Sequence, residues 1–370
     1  MAWFIGLMSG TSLDGIDGVL VDFSADGSSS STRAHCHHPL PPALRSELLA
    51  LNSSGPDELH RAALATQALI DGYADVVAAL LQQGGIGAPQ ITAIGAHGQT
   101  VRHRPRDFGR YGYTLQLMNG ARLAEHAGIA VVCDFRSRDV AAGGEGAPLV
   151  PAFHAARFAR PGCSLAVLNL GGIANLTLLG RDGGVRGHDT GPGNVLMDLW
   201  CQRHRGQAYD AAGAWAASGQ IVPGLLAALL AEPYFERGPP KSTGRDLFDA
   251  AWLDARLAGK DATAADVMAT LTELTACSVC AALARDAPDL EGLIVCGGGA
   301  YNDHLLQRLR GLLGPGVSVS SSAEAGVPPD QVEALAFAWL AWACVAGRPG
   351  SLAAVTGARG PRVLGALYPA

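Results

Sequence analysis

Apolar runs of strand length alternate with amphipathic helical segments along most of the chain, a pattern typical of α/β proteins. Two apolar runs enclose a short polar turn at residues 6–23 and again at residues 165–180, so each half of the chain is predicted to open with a β-hairpin. A helix is predicted between residues 55 and 85, because apolar residues recur there at helical spacing. These residues are Leu59, Leu69, Ile70, Tyr73, Val76, Val77 and Leu80.

Three further strands are predicted, and each leads into polar or glycine residues. Residues 91–95 lead into "AHGQTVRHRP", and residues 129–133 lead into "DFRSRDVAAGGEGAPL". The strand at the start of residues 292–309 leads into three glycines and an amphipathic helix. Open α/β sheets bind ligands at the carboxyl ends of their strands, so we expect binding groups at all three positions.

The first hairpin turn, within "GLMSGTSLDGIDGVLVDF", holds more polar groups than a simple turn requires. Its glycines permit close approach of the backbone, and its amides and hydroxyls suit phosphate oxygens. Asp14 and Asp17 would repel phosphate; their carboxylates could orient hydrated Mg²⁺, bond a sugar or cap the turn. We therefore predict that this turn holds phosphates, with the roles of the two carboxylates left open.

Composition and charge exclude several classes of protein. Of the 370 residues 48% are hydrophobic and 16% are charged, which favours two folded domains over disorder. A net charge of −6 argues against nucleic-acid binding, which needs a basic surface. The longest apolar run, residues 334–346, is too short to span a membrane and is predicted to be a buried helix. Eight scattered cysteines and the lack of a signal peptide favour a cytoplasmic protein with no membrane partner.

The order of two hairpin turns and one triple-glycine turn is similar to that of the sugar kinase, Hsp70 and actin superfamily. The chain contains neither a P-loop nor a Rossmann glycine motif. More narrowly, it resembles the anhydro-N-acetylmuramic acid kinase family over nearly its whole length. The motifs that carry this resemblance are "GLMSGTSLDGIDGVLVD", "GAHGQTVRH", "VVCDFRSRDVAAGGEGAPLVPAFH", "LNLGGIANLT", "GHDTGPGNVLMD", "GPPKSTGRDLF", "VCGGGAYN" and "TGARGPRVLGALYP".

The resemblance implies a two-lobed α/β fold of the actin-like (ribonuclease H-like) ATPase class, with the active site in the cleft between the lobes. Residues 1–134 and 347–370 would form the first lobe, and residues 135–346 the second. It also implies a homodimeric kinase of peptidoglycan recycling that uses ATP and Mg²⁺. Such an enzyme hydrolyses the anhydro bridge of 1,6-anhydro-N-acetylmuramic acid and phosphorylates O6, giving N-acetylmuramic acid 6-phosphate.

Asp189, in "GHDTGPGN", resembles the catalytic aspartate of this family. We expect its carboxylate to take a proton from the water that attacks the anomeric carbon, while the freed O6 captures the γ-phosphoryl group. The alternative is that Asp189 caps a helix that begins near Asn194, since aspartate is a preferred N-cap residue.

The same resemblance assigns residues to the two substrates. The sugar carries a lactyl carboxylate and an acetamide, and it would contact His97, Gln99, Thr100, Arg136 and Glu333. For Arg136, a salt bridge with Asp134 or Asp139 is an equal alternative to ligand binding. The segment "KSTGR" at residues 241–245 would either cover the nucleotide or pin a loop between the lobes. ATP would lie on Gly10, Thr11, Ser12, Leu13, Asp14, Gly15, Ile16, Asp17, Gly171, Gly172, Asn175, Gly297, Gly298 and Gly299.

Three other functions remain in competition. A kinase for levoglucosan would act on a sugar without carboxylate or acetamide, so Arg136 would have little to bind. A nucleotide-driven binding protein of the Hsp70 or actin type would need no aspartate to activate water. A phosphatase or polyphosphate hydrolase of the same fold would release phosphate to water instead of sugar.

Overall fold

A computed structural model describes residues 2–10, 13–239, 241–244 and 247–370, with only the backbone at Arg110. The strands in this part of the chain are β1 (Ala2–Ser9), β2 (Gly15–Phe23), β3 (Ser30–Pro39), β4 (Ile91–Ala96), β5 (Gln99–Arg104), β6 (Tyr113–Leu117), β7 (Val131–Cys133), β8 (Leu165–Leu170), β9 (Ile173–Leu179), β10 (Val185–Pro192), β11 (Gly292–Cys296), β12 (Ser318–Ser321) and β13 (Ala366–Tyr368). The helices are α1 (Pro42–Ala50), α2 (Glu58–Gly84), α3 (Gly120–Ala127), α4 (Ser137–Ala141), α5 (Val150–Phe158), α6 (Val195–Arg205), α7 (Pro223–Leu230), α8 (Ala250–Leu257), α9 (Ala264–Asp286), α10 (Asp303–Leu313), α11 (Val332–Val345) and α12 (Ala353–Thr356).

The chain divides into two units, each built on one main sheet. Unit 1 comprises Met1–Arg157 and Gln331–Ala370, and its sheet has the order β13-β7-β4-β1-β2-β3. Unit 2 comprises Phe158–Asp330, and its sheet has the order β10-β9-β8-β11-β12. In both sheets three consecutive strands form an antiparallel meander, and the first of them pairs in parallel with the fourth. This repeated order is that of the ribonuclease H-like class, so the predicted fold class is confirmed.

The boundaries of unit 1 differ from those expected, which were residues 134 and 347. Helix α11 belongs to this unit because it packs directly on β1 and β4. Gly6 and Gly95 allow the contact: a Cβ on Gly6 would overlap the carbonyl oxygen of Ala334, and one on Gly95 that of Phe337. The chain therefore returns to the first unit one helix earlier than the resemblance implied.

Both predicted hairpins, β1–β2 and β8–β9, are present. The predicted helix is α2, and Gly85 ends it with a φ of 64°, a left-handed conformation that glycine adopts without strain. Six of its seven predicted apolar residues are buried, whereas Leu59 lies in the first turn and is 89% exposed. The sequence periodicity thus located the helix correctly but placed its buried face one turn too early.

Two helices, α2 and α9, are long and apolar enough to cross a membrane by length and composition alone. In α9, 78% of the apolar window is buried inside unit 2, where Met268, Leu271 and Leu274 join the core. In α2 the buried fraction is 44%, and Leu69 and Tyr73 belong to the core of unit 1. Both helices therefore contribute to the core of a folded unit.

The contact between α11 and β4 makes a direct prediction for Gly95→Ala. The added Cβ overlaps the Phe337 carbonyl and lies 2.9 Å from the Cβ of Ala341, so the helix must shift. We expect a loss of about 1–3 kcal/mol in the free energy of unfolding, measured by urea denaturation. Gly87→Ala is the matched control, because its Cβ would have only ordinary contacts of 3.6 Å or more. Equal stability of the two variants would contradict this account of the packing.

Candidate functional site

Three polar side chains form a row across the sheet of unit 2. Asp189 on β10 is paired with Asn175 on β9, and Asn175 is paired with Asn169 on β8. Side chains of directly opposed residues point to the same face of a sheet. The register shifts immediately after Asp189, and such bulges redirect a side chain next to many active sites. The row lies close to the carboxyl ends of β8 and β10.

The Asp189 carboxylate is held by a segment that is distant in sequence. Its Oδ2 atom accepts a hydrogen bond from the backbone amide of Thr243 at 3.0 Å, and its own amide donates to the Lys241 carbonyl at 3.3 Å. The N-cap residue of α6 is Asn194, so the alternative that Asp189 caps this helix is wrong. Lys241 and Thr243 of the "KSTGR" motif thus contact the candidate base.

Burial sets the acidity of Asp189. It raises the pKa of this carboxyl to about 6, although the Thr243 amide and the charge of Lys241 act in the opposite direction. At neutral pH the group is therefore mostly ionised, with an affinity for protons well above that of a solvated aspartate. These are the properties that a general base requires.

The turn of the second hairpin is fixed against the start of α6. The carbonyl oxygen of Gly172 accepts hydrogen bonds from the amides of Gly193 at 2.9 Å and Val195 at 3.1 Å. The carbonyl of Gly171 accepts one from the amide of Asn194 at 2.8 Å. The predicted phosphate turn therefore has a rigid backbone next to a helix N-terminus.

The three glycines after β11 differ in whether the structure has room for a side chain at their positions. Gly297 has a φ of 77°, and a Cβ there would lie 2.9 Å from the Leu170 carbonyl oxygen. A Cβ on Gly299 would lie 2.5 Å from the Cβ of Leu170. Gly298 is exposed, and a Cβ there would have no neighbour within 4 Å. Packing on β8 thus explains two of the glycines, and Gly298 leaves space for a ligand.

In unit 1, His97 and Arg136 follow the parallel strands β4 and β7, and the structure brings them together. The Nε and Nη2 atoms of Arg136 donate to Nε2 of His97 at 3.0 and 2.9 Å, and Nη1 donates to the Gly146 carbonyl at 2.7 Å. Burial, and then the charge of Arg136, hold the pKa of His97 well below its usual range. His97 is therefore a neutral acceptor that orients the guanidinium.

The proposed salt bridge of Arg136 is not formed. Asp139 is fully buried and accepts hydrogen bonds from the Gly146 amide and the Thr356 hydroxyl, each at 2.8 Å. The ion pairs of the described residues include none between Arg136 and either Asp134 or Asp139. Burial lowers the pKa of Arg136 to about 10, and the charges of Glu333 and then Asp139 raise it. Glu333 thus lies within electrostatic reach of Arg136.

Gln99 and Thr100 lie at the start of β5. The Gln99 side chain is buried, and its Nε2 atom donates to the Gly10 carbonyl at 3.3 Å, which ties β5 to the first turn. Its Oε1 atom is buried without a partner among the described residues, so it is ready to accept a hydrogen bond from a ligand. The Thr100 hydroxyl accepts a hydrogen bond from Gln116 at 3.2 Å.

The rest of the first turn contributes mainly backbone. Leu13 and Ile16 are buried in the core of unit 1, so their side chains cannot contact phosphate. Asp17 accepts a hydrogen bond from Nδ1 of His37 at 2.8 Å, across the β2–β3 pair. Asp14 is exposed, and its Oδ1 accepts a hydrogen bond from the amide of Gly15, where a Cβ would meet the His37 ring. Thr11 and Ser12 lie outside the described residues.

Several residues near the site gave no distinct signal in the sequence. Tyr234 donates from its hydroxyl to the Asp189 carbonyl at 2.9 Å, and His188 contacts the same oxygen at 3.1 Å. Gln116 reaches Thr100 from the neighbouring strand β6. These residues are identified only by their contacts with residues that were already predicted. Tyr234 lies 45 residues from Asp189 in the chain, so sequence spacing does not predict this contact.

Comparison with known proteins gives consistent matches. A family model described as anhydro-N-acetylmuramic acid kinase matches residues 2–370. The anhydro-N-acetylmuramic acid kinase of Variovorax paradoxus is 61% identical, over 99% of this chain and 99% of that protein. The one from Bordetella petrii is also 61% identical, over 99% and 96% respectively. Among solved structures, an activator of 2-hydroxyisocaproyl-CoA dehydratase from Clostridium difficile is 12% identical, with a TM-score of 0.45 over 92% of this chain and 94% of that chain.

The triple glycine can be tested by stability alone. Gly299→Ala should lower the free energy of unfolding by about 1–3 kcal/mol, because its Cβ meets β8. Gly298→Ala should change it by no more than about 0.5 kcal/mol, because the position is open. Thermal and urea unfolding of both variants measures the difference. A large loss in Gly298→Ala would show that this residue is also required for packing.

Proposed function

The chain belongs to the anhydro-N-acetylmuramic acid kinase family, and from this premise we propose that it phosphorylates O6 of 1,6-anhydro-N-acetylmuramic acid with ATP as the bridge is hydrolysed. The product is N-acetylmuramic acid 6-phosphate, an intermediate of peptidoglycan recycling. The observation that carries the proposal is the partly buried Asp189 carboxylate, held through one oxygen by the Thr243 amide.

In the proposed reaction, Oδ1 of Asp189 takes a proton from water as the water oxygen bonds to the anomeric carbon. The bond from that carbon to O6 breaks, and O6 attacks the γ-phosphoryl group as the bond from its phosphorus to the β–γ bridging oxygen breaks and ADP leaves. No separate acid is therefore required to protonate the leaving oxygen O6. Asp189 suits this role because its second oxygen is fixed and its pKa of about 6 leaves it ionised at neutral pH.

ATP supplies the phosphoryl group, and we assign its phosphates to the backbone of the two hairpin turns. The first turn contributes Gly10, and the second contributes Gly171 and Gly172 beside the N-terminus of α6, where anions are favoured. We place the adenosine against Gly298, which is the open position of the triple glycine.

We also propose Mg²⁺ as cofactor. The described residues contain no cluster of three His, Cys, Asp or Glu side chains that could hold a metal. A magnesium ion that shares phosphate oxygens needs only one or two protein carboxylates. The first turn offers two such carboxylates, Asp14, which is exposed, and Asp17, which accepts a hydrogen bond from His37.

For the sugar, Arg136 is assigned to the lactyl carboxylate because its guanidinium is oriented by His97 and forms no ion pair with a carboxylate of the described residues. Gln99 Oε1 is assigned to a donor of the sugar, either a hydroxyl or the acetamide N–H. We propose that Thr100 and Glu333 complete this subsite. As in the family resemblance, we propose a homodimer in the cytoplasm.

The function is tested by coupled assay of ADP release. We expect turnover with 1,6-anhydro-N-acetylmuramic acid, at most weak turnover with levoglucosan, and little ATP hydrolysis without sugar. Solvent ¹⁸O should appear at the anomeric hydroxyl of the product. Label on the phosphate, or ATP hydrolysis independent of sugar, would favour the phosphatase or the nucleotide-driven binding protein instead.

Asp189→Asn should lower kcat by about 10²- to 10⁴-fold, because the amide cannot accept a proton from water. Its melting temperature should be unchanged or higher, because ionisation of a group with a raised pKa costs folding free energy above that pKa. Asp261→Asn, at an exposed residue of the same unit, is the control and should behave as wild type. Wild-type kcat in Asp189→Asn would remove the residue from the mechanism.

The raised pKa also predicts the pH profile. Below a pH of about 6 Asp189 is protonated and cannot act as base, so kcat/KM should fall as the pH decreases through this value and reach a plateau above it. The rate of single turnovers at saturating ATP measures this directly. A plateau that extended unchanged to a pH of about 4 would contradict the assignment of Asp189 as base.

A further inference from the structure

The segment Lys241–Gly244, here termed the strap, is joined to Asp189 at two points. The Asp189 amide donates to the Lys241 carbonyl at 3.3 Å, and the Thr243 amide donates to Oδ2 of Asp189 at 3.0 Å. The strap therefore fixes both the backbone and one carboxylate oxygen of the proposed base.

Tyr234 contacts both Asp189 and Lys241. Its buried hydroxyl donates to the Asp189 carbonyl at 2.9 Å. The Lys241 ammonium lies 4.6 Å from the centre of the Tyr234 ring and donates to the carbonyls of Tyr234 at 3.3 Å and Phe235 at 3.5 Å. Asp189, Lys241 and Tyr234 thus each contact the other two, and the lysine side chain anchors the strap to Tyr234.

The choice of lysine is unusual for this chain. Of its 27 Lys and Arg residues only two are lysines, Lys241 and Lys260. Lys260 is exposed, whereas Lys241 is partly buried. A compact ammonium can donate in several directions, which suits two successive carbonyls beneath an aromatic face, whereas a planar guanidinium is less adaptable.

Among the described residues, Lys241 is the cation whose charge acts on the pKa of Asp189. Asp286, at the end of α9, is occupied by Arg285 at 2.7 Å and by His188 at 2.9 Å. Burial, followed by the charge of Arg285, lowers the pKa of Lys241, whereas Asp286 and Asp189 raise it and Arg237 lowers it further. The charge of Lys241 in turn lowers the pKa of Asp189.

We propose that Lys241 is a positioning residue for the reaction: docked on Tyr234, it holds the strap against β10 so that one oxygen of Asp189 is fixed and the other takes the proton from water. This inference rests on the proposed function, because it assumes that Asp189 is the general base. It assigns to the "KSTGR" motif a role that is neither a nucleotide cover nor an interdomain pin.

The test compares Lys241→Met, which keeps the length of the side chain but removes its charge and donors, with Lys241→Arg and with Lys260→Met as matched control. For Lys241→Met we expect plateau kcat to fall about 10- to 100-fold, since misplacement of a reacting group by about 1 Å can cost 100-fold. The KM for ATP should stay unchanged. The midpoint of the acidic limb should move to higher pH, because the base loses a cation and an amide donor.

The conservative variant separates positioning from a general structural role. Lys241→Arg should restore part of the plateau kcat and move the midpoint back toward the wild-type value, and Lys260→Met should match wild type in every parameter. Tyr234→Phe keeps the ring that Lys241 contacts but removes the hydroxyl bond to Asp189, so it should lower plateau kcat at unchanged KM. If Lys241→Met does not fold, Lys241→Arg and Tyr234→Phe still test the positioning role of Lys241. Wild-type kcat and a wild-type midpoint in both variants would overturn that role.

Two outcomes would refute the inference without touching the proposed function. In the first, Lys241→Met raises the KM for ATP while plateau kcat and midpoint remain those of wild type, which would place Lys241 at the nucleotide. In the second, Lys241→Met behaves as wild type throughout while Asp189→Asn is inactive. If Asp189→Asn itself is active, the assignment of the base has failed, and the inference fails with it.

Discussion

The parallel pairing of the first and fourth strands in each unit determines which polar groups share an edge of the sheet. In unit 1 this pairing, β1 with β4, places Gly10 and His97 at the same edge, and the parallel neighbour β7 adds Arg136. In unit 2 the pairing of β8 with β11 places the Gly171–Gly172 turn beside the triple glycine. These groups come from distant parts of the chain, and the strand order brings them close together within each unit.

Each unit contains a buried charged group, a guanidinium in unit 1 and a carboxylate in unit 2. Unit 1 holds a buried guanidinium against a neutral histidine and a carbonyl, so the cation retains capacity for a carboxylate ligand. Unit 2 holds a carboxylate whose pKa is raised by burial, so the anion retains affinity for a proton. Under the proposed function, the lactyl carboxylate of the sugar would pair with the first group, and the proton of the attacking water would pass to the second.

The sequence predicted the helices, the strands and the residues at strand ends better than it predicted tertiary contacts. Hydrophobic periodicity located α2 and both hairpins, and His97 and Arg136 follow strands β4 and β7 as the sequence predicted. It could not show that Gly297 and Gly299 are required by packing on Leu170, since that depends on how the strands align. Spacing alone also permits Asp189 to cap a helix; the structure places Asn194 at the N-cap of α6 instead, and Asp189 accepts a hydrogen bond from the amide of Thr243, 54 residues away. The sequence does not predict that α11 belongs to unit 1, because the close approach of the α11 backbone to Gly6 and Gly95 is visible only in the structure.

Stability alone gives little reason for these buried charges. An ionised group removed from water costs free energy unless good partners compensate, and hydrophobic replacements of buried ion pairs are often neutral or stabilising. Asp189 receives one backbone amide at its carboxylate, and Arg136 receives neutral acceptors at its guanidinium. The Tyr234 hydroxyl donates to the Asp189 carbonyl and the His97 ring accepts from Arg136, so these two neighbours orient the charged residues through uncharged groups. Such an arrangement is expected where selection has maintained reactivity and binding at some cost in stability.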